Sequence, residues 1–112
     1  MIITKTTPYS ISEINKLKQQ FEYYIKTVID VEKKICCAGV DLHADGERLL
    51  LGSGSTQSQI WGGGIDLETK TIDNNAMINI RPGDNNSSDE IQNPDVRKIF
   101  EELSRYYFSK IL

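Results

Sequence analysis

Two β-favouring runs, Val28-Ile29-Asp30-Val31 and Ile35-Cys36-Cys37-Ala38-Gly39-Val40, are separated only by the charged triplet Glu32-Lys33-Lys34. Parallel strands need a crossover of a dozen or more residues, so runs this close pair as an antiparallel hairpin with a solvated turn. A lone hairpin is marginal in water. The rest of the chain must therefore supply more strands and helices to cover its apolar residues.

The helices are marked by caps and periodicity. Ser10 with Glu13 forms a capping box, and Ile11, Ile14, Leu17, Phe21 and Ile25 recur at three-to-four spacing, which predicts a helix over about residues 10–25. Asn93 as N-cap, Pro94 at the first helical position and Asp95 in the first turn open a second helix. Its stripe of Val96, Ile99, Phe100, Leu103 and Tyr107 extends it over about residues 94–110.

Residues 41–54 are ambiguous. Asp41 or Asp45 can cap a helix running through Leu49, Leu50 and Leu51 to Gly52, but Gly46 costs about 1 kcal/mol inside it and the alternation around His43 also suits a strand. The Leu49–Leu51 run closed by Gly52 favours a short helix. Met1 to Lys5 reads as an opening strand. Ile60 to Leu67 and Ala76 to Ile80 read as two later strands, joined by the polar turn Glu68 to Asn75. Gly62-Gly63-Gly64 marks a bulge or a close backbone approach. The sum is one α+β domain over residues 1–112: a mainly antiparallel sheet of four to five strands, with two longer helices and a short middle one packed on one face.

Charge and composition exclude several roles. Thirteen Lys and Arg against 16 Asp and Glu give a net charge of -3, with no long basic block, which argues against nucleic-acid binding. No apolar run approaches the roughly 20 residues of a membrane span, and residues 1–9 lack a signal-peptide stretch, so the expectation is a cytoplasmic protein without membrane contact. Cys36 and Cys37, the only cysteines, are adjacent; they read as reduced, buried thiols and cannot make a four-ligand zinc site. No metal or cofactor is expected.

Three groups could carry chemistry. His43, Asp45 and Glu47 would share one face on a strand, whereas on a helix only His43 and Glu47 would; these are the candidates for proton transfer or hydrolysis. With one histidine, the two-histidine metal triad is out of reach. The bland alternative has Asp45 capping a helix, His43 fixing a turn and Glu47 in solvent. Arg81, with Asn86 and Ser88 in the loop after it, is a candidate anion site, set against Arg81 simply pairing with Asp84, Asp89, Glu90 or Asp95 to pin the loop. Trp61 beside the glycines is either a stacking surface or core.

Val28-Ile29-Asp30-Val31-Glu32, Leu42-His43-Ala44-Asp45 with Glu47, Leu50-Leu51, Gly54-Ser55, Trp61-Gly62 and Ile78-Asn79-Ile80-Arg81-Pro82 resemble the successive blocks of a domain-of-unknown-function family, number 5674, of small bacterial and archaeal proteins. The resemblance runs from the first strand to Pro94 and Arg97 and implies no assigned activity. Two blocks depart from the family pattern. Asn86-Ser87-Ser88-Asp89 stands where the family reads asparagine, arginine, serine, arginine, and Trp61-Gly62-Gly63-Gly64 stands where it reads tryptophan, glycine, an apolar residue and asparagine. The loss of two loop cations weakens an anion site there. With no complete catalytic set legible, the leading reading is a noncatalytic module that self-associates as a homodimer or binds a protein partner. A small anionic-ligand binder using Arg81 and the Asn86–Ser88 loop is the alternative, and an enzyme built on His43, Asp45 and Glu47 the third.

Overall fold

The computed structural model describes every residue from Met1 to Leu112. Its elements are β1 (Ile3–Lys5), α1 (Ile11–Gln20), β2 (Tyr24–Asp30), β3 (Ile35–Ala38), α2 (His43–Gly52), β4 (Ile60–Asp66), β5 (Thr71–Asp73) and α3 (Pro94–Tyr107), with short 3-10 turns at Gln57–Gln59, Met77–Asn79 and Pro82–Asp84. The strands form one five-stranded antiparallel sheet in the order β1-β3-β2-β4-β5, an α+β fold.

The central hairpin forms as its spacing requires, with Asp30 opposite Ile35 and Lys34 turning at φ 58°. Asp30 is the turn's anchor. One carboxylate oxygen accepts the N–H groups of Glu32 and Lys33, and the other accepts the Ser55 hydroxyl at 2.6 Å.

Alternation along β2 sorts the core into two layers. Ile25 and Ile29, with Cys36, Ala38, Trp61 and Ile65, meet Ile14 and Leu17 of α1 and Phe100 and Tyr107 of α3. Val28, Cys37 and Ile60 point the other way and meet Val40 and Leu50, the latter from α2. Helices therefore cover both faces of the sheet, not one. The reason is that β2 and β4 carry buried residues on both sides, the pattern of strands covered from above and below. Full burial of Leu50 contributes about 2 kcal/mol and fixes α2 to its face.

Three element boundaries differ from the sequence reading. The capping box forms with both of its bonds, at 2.8 and 3.1 Å, but α1 ends at Gln20 instead of near residue 25. Phe21 is already extended, and Ile25 lies in β2 opposite Ile65, because Phe21 to Ile25 concentrates aromatic and β-branched residues that suit a strand. At the other end, α3 stops at Tyr107. Phe108 leaves the helix to stack on Tyr9 with ring centroids 4.9 Å apart. The last strand is Thr71–Asp73, within the segment expected as a turn, while Ala76 to Ile80 is not a strand and contains the 3-10 turn Met77–Asn79.

The glycine run resolves as close approach without a bulge, since β4 keeps an unbroken register with β2. A Cβ on Gly63 would meet the Phe100 ring at 2.7 Å, and one on Gly62 would meet Ala76 at 2.7 Å and the His43 ring at 3.1 Å.

Candidate functional site

The sequence candidates gather around the first half of β4. β5 pairs with β4 only over Gly64 to Asp66, so upstream of Gly64 the outer edge of β4 lacks a strand partner. Side chains satisfy it. Asn79, fully buried, accepts the Gly62 N–H and donates to the Gly62 carbonyl, both at 2.9 Å, as a neighbouring strand would. Its amide also reaches the carbonyls of Asn74 and Asp89. Arg81 Nη1 donates to the Ile60 carbonyl at 2.8 Å and to that of Gln57 at 2.9 Å.

α2 brings His43 onto the same strand from above. The helix begins after Leu42, whose side chain makes no capping bond, so neither Asp41 nor Asp45 is the cap; Asp45 lies in the first turn, where its charge complements the helix's positive end. Gly46 lies inside the helix despite its propensity cost because a Cβ there would be 2.7 Å from a Val28 methyl. His43, the first helical residue, places Nε2 2.7 Å from the Gly63 carbonyl oxygen. A carbonyl accepts only, so the neutral ring carries its proton on Nε2. Burial holds the imidazole pKa below its ordinary value, with the Lys26 charge acting in the same direction.

Glu47, one turn beyond His43, is not in solvent. Its carboxylate lies 3.8 Å from Arg81 Nη1, with 17% of the side chain exposed. Asp45 turns away to Arg48, 3.4 Å distant on the exposed side of the helix. His43, Asp45 and Glu47 thus do not converge on one point.

Arg81 is the most enclosed of the candidate charges, with 9% of its side chain exposed. Its guanidinium lies 4.3 Å from the centre of the Trp61 ring, within cation–π range, and Nε lies 3.3 Å from an Asp84 carboxylate oxygen, close enough to pair but too poorly aligned for a hydrogen bond. Burial lowers its pKa, while Asp84 and Glu47 oppose that shift. Trp61 is 4% exposed and belongs to the core as well as to this stack.

Asn86 is buried, with its amide directed to the carbonyls of Asn79, Ser88 and Glu90 and its oxygen accepting the Gln92 N–H. Ser88 accepts the Glu90 N–H. The polar groups of Asn86 and Ser88 hold the loop itself. Asn79, the residue on which much of this depends, escapes sequence reading because it occupies the polar position of an alternating run and passes for an outward strand residue.

Two concavities flank this assembly. An apolar groove of about 310 Å3 lies between α2 and the Met77–Asn79 turn, lined by Lys26, Leu42, His43, Ala44, Met77 and Ile78. A polar cleft of about 440 Å3 lies between the Pro82–Asp84 turn and the amino end of α3, and Trp61 and Asn86 contribute to its wall. No group of three or more His, Cys, Asp or Glu side chains is placed to hold a metal ion, and no helix is long and apolar enough to cross a membrane.

No curated protein and no solved structure matches this chain. A family model described as a protein of unknown function (DUF5674) matches residues 1–106. That match spans every strand of the sheet and all of α3 but its last residue, so the chain belongs to the DUF5674 family.

Proposed function

We propose that this protein is a noncatalytic module that pairs with a second copy of itself through the face formed by α2 and the Met77–Asn79 turn. The observation that carries the reading is the apolar groove, flanked by Leu42 at 62% exposure and Met77 at 80%, the most exposed large apolar side chain in the molecule. Large apolar groups left in water beside an apolar concavity mark an association surface. A two-fold axis through this face would set the Met77 of each copy into the groove of the other, and the flexible thioether fits such irregular contacts. Lys26, whose ammonium donates to the Asp41 backbone carbonyl, is the only charged side chain on the groove wall, which leaves the remaining lining for apolar contact between copies. The internal commitments of His43, Arg81 and Asn86 support a noncatalytic role, since each already serves a backbone partner.

Light scattering on the purified chain tests this. A dimer is expected, and Met77→Glu should convert it to a monomer with an unchanged melting temperature at low concentration. A wild-type monomer at all concentrations, or a dimer indifferent to Met77→Glu, would overturn the proposal.

A further inference from the structure

The polar cleft differs from the groove in what its walls leave free. The hydroxyl of Ser58, the carboxamides of Gln59 and Asn85, and the Nδ2 group of Asn93 make no hydrogen bond within the protein, although all four residues line the cleft. Asn93 spends only its oxygen, on the N–H groups of Asp95 and Val96. Asp84 adds one carboxylate, 38% exposed, with its charge countered by Arg81 at 3.3 Å. Trp61 also contributes to the wall, with the Arg81 guanidinium over its ring.

These groups select a ligand by elimination. An anion would meet the Asp84 carboxylate and no cation on the cleft wall, since Arg81 is enclosed behind Trp61 and does not line it. A metal ion would find a single carboxylate. An apolar compound would find only Trp61 and Val96 among lining residues that are otherwise polar or glycine. What fits is a ligand whose groups both donate and accept, because the walls carry amide donors together with amide and carboxylate acceptors. We propose that this cleft binds a neutral polyhydroxylated compound, a monosaccharide or a related polyol. Its volume of about 440 Å3 falls within the range of small-molecule sites. The site uses a surface other than the groove and does not depend on self-association.

Trp61 is the only tryptophan in the chain and borders the cleft, so intrinsic fluorescence gives a signal from the cleft wall. The experiment titrates the full chain with glucose, galactose, mannose, ribose and glycerol, and separately with inorganic phosphate and acetate, following both fluorescence and melting temperature. A saturable response to at least one neutral compound, and none to the anions, is expected. Asn85→Gly removes a carboxamide while easing a backbone at φ 59°, and Asn93→Ser keeps a capping oxygen while removing Nδ2. Each should weaken the response about five- to tenfold, the loss of one hydrogen bond, with the unliganded fold intact. Silence of both readouts toward every neutral compound, saturation by phosphate or acetate, or unchanged affinity in both variants would overturn the proposal.

Discussion

Single side chains here replace pieces of backbone structure, and that makes their removal costly. Asn79 stands in for a strand residue beside Gly62, so Asn79→Ala leaves a buried N–H and several carbonyls without partners. A loss of about 3 kcal/mol in unfolding free energy is expected from urea denaturation, more than truncating an exposed asparagine would give. His43 contributes a pH dependence of definite sign. Its folded pKa is lowered by burial, so the unfolded chain binds the proton first, and stability that is full above about pH 6.5 declines as pH falls below that value. His43→Gln should flatten melting temperature between pH 7 and 5 relative to wild type. Glu13 and Asp66, whose carboxyls are held below their ordinary values chiefly by backbone N–H groups of Ser10 and Thr69, act only at more acidic pH.

Among the elements, the contrast between two glycines of one helix separates propensity from packing. A Cβ on Gly52 meets nothing within 4 Å, so Gly52→Ala should stabilise by about 0.5 kcal/mol, whereas Gly46→Ala drives a methyl into Val28 and should cost about 2 kcal/mol. Thermal melts of both variants check the pair. The propensity cost at Gly46 is visible in the sequence, whereas the strand pressed beneath it is not. The same limit explains what was legible elsewhere. Capping chemistry is local, so the starts of α1 and α3 were readable from Ser10, Glu13, Asn93 and Pro94. Helix ends and the placement of β5 were not, because Ile25 and Ala76 to Ile80 take their conformations from β4, a partner remote in sequence. His43 and Glu47 were legible as a helix pair, and Arg81 as a loop fastener to Asp84, but not the enclosure of Arg81 between Trp61 and Glu47.

For the molecule as a whole, two thiols are enclosed on opposite faces of one strand. Burial raises the pKa of both Cys36 and Cys37, and Cys36 is fully covered. A thiol reagent at pH 8 should therefore modify neither cysteine at the rate of a free thiol, and labelling should track global unfolding; rapid modification of the native protein would contradict this packing. The strand order also constrains assembly in time. The hairpin of β2 and β3 joins neighbours, whereas the longest ladder, β2 with β4, matches Asp30 to Ile60 across the whole of α2. Closing that loop costs chain entropy before any of its hydrogen bonds form. The nascent chain can thus zip its hairpin early, yet it gains its central ladder, and with it the platform for α3, only after the glycine strand emerges and docks, which makes that docking the natural bottleneck of folding.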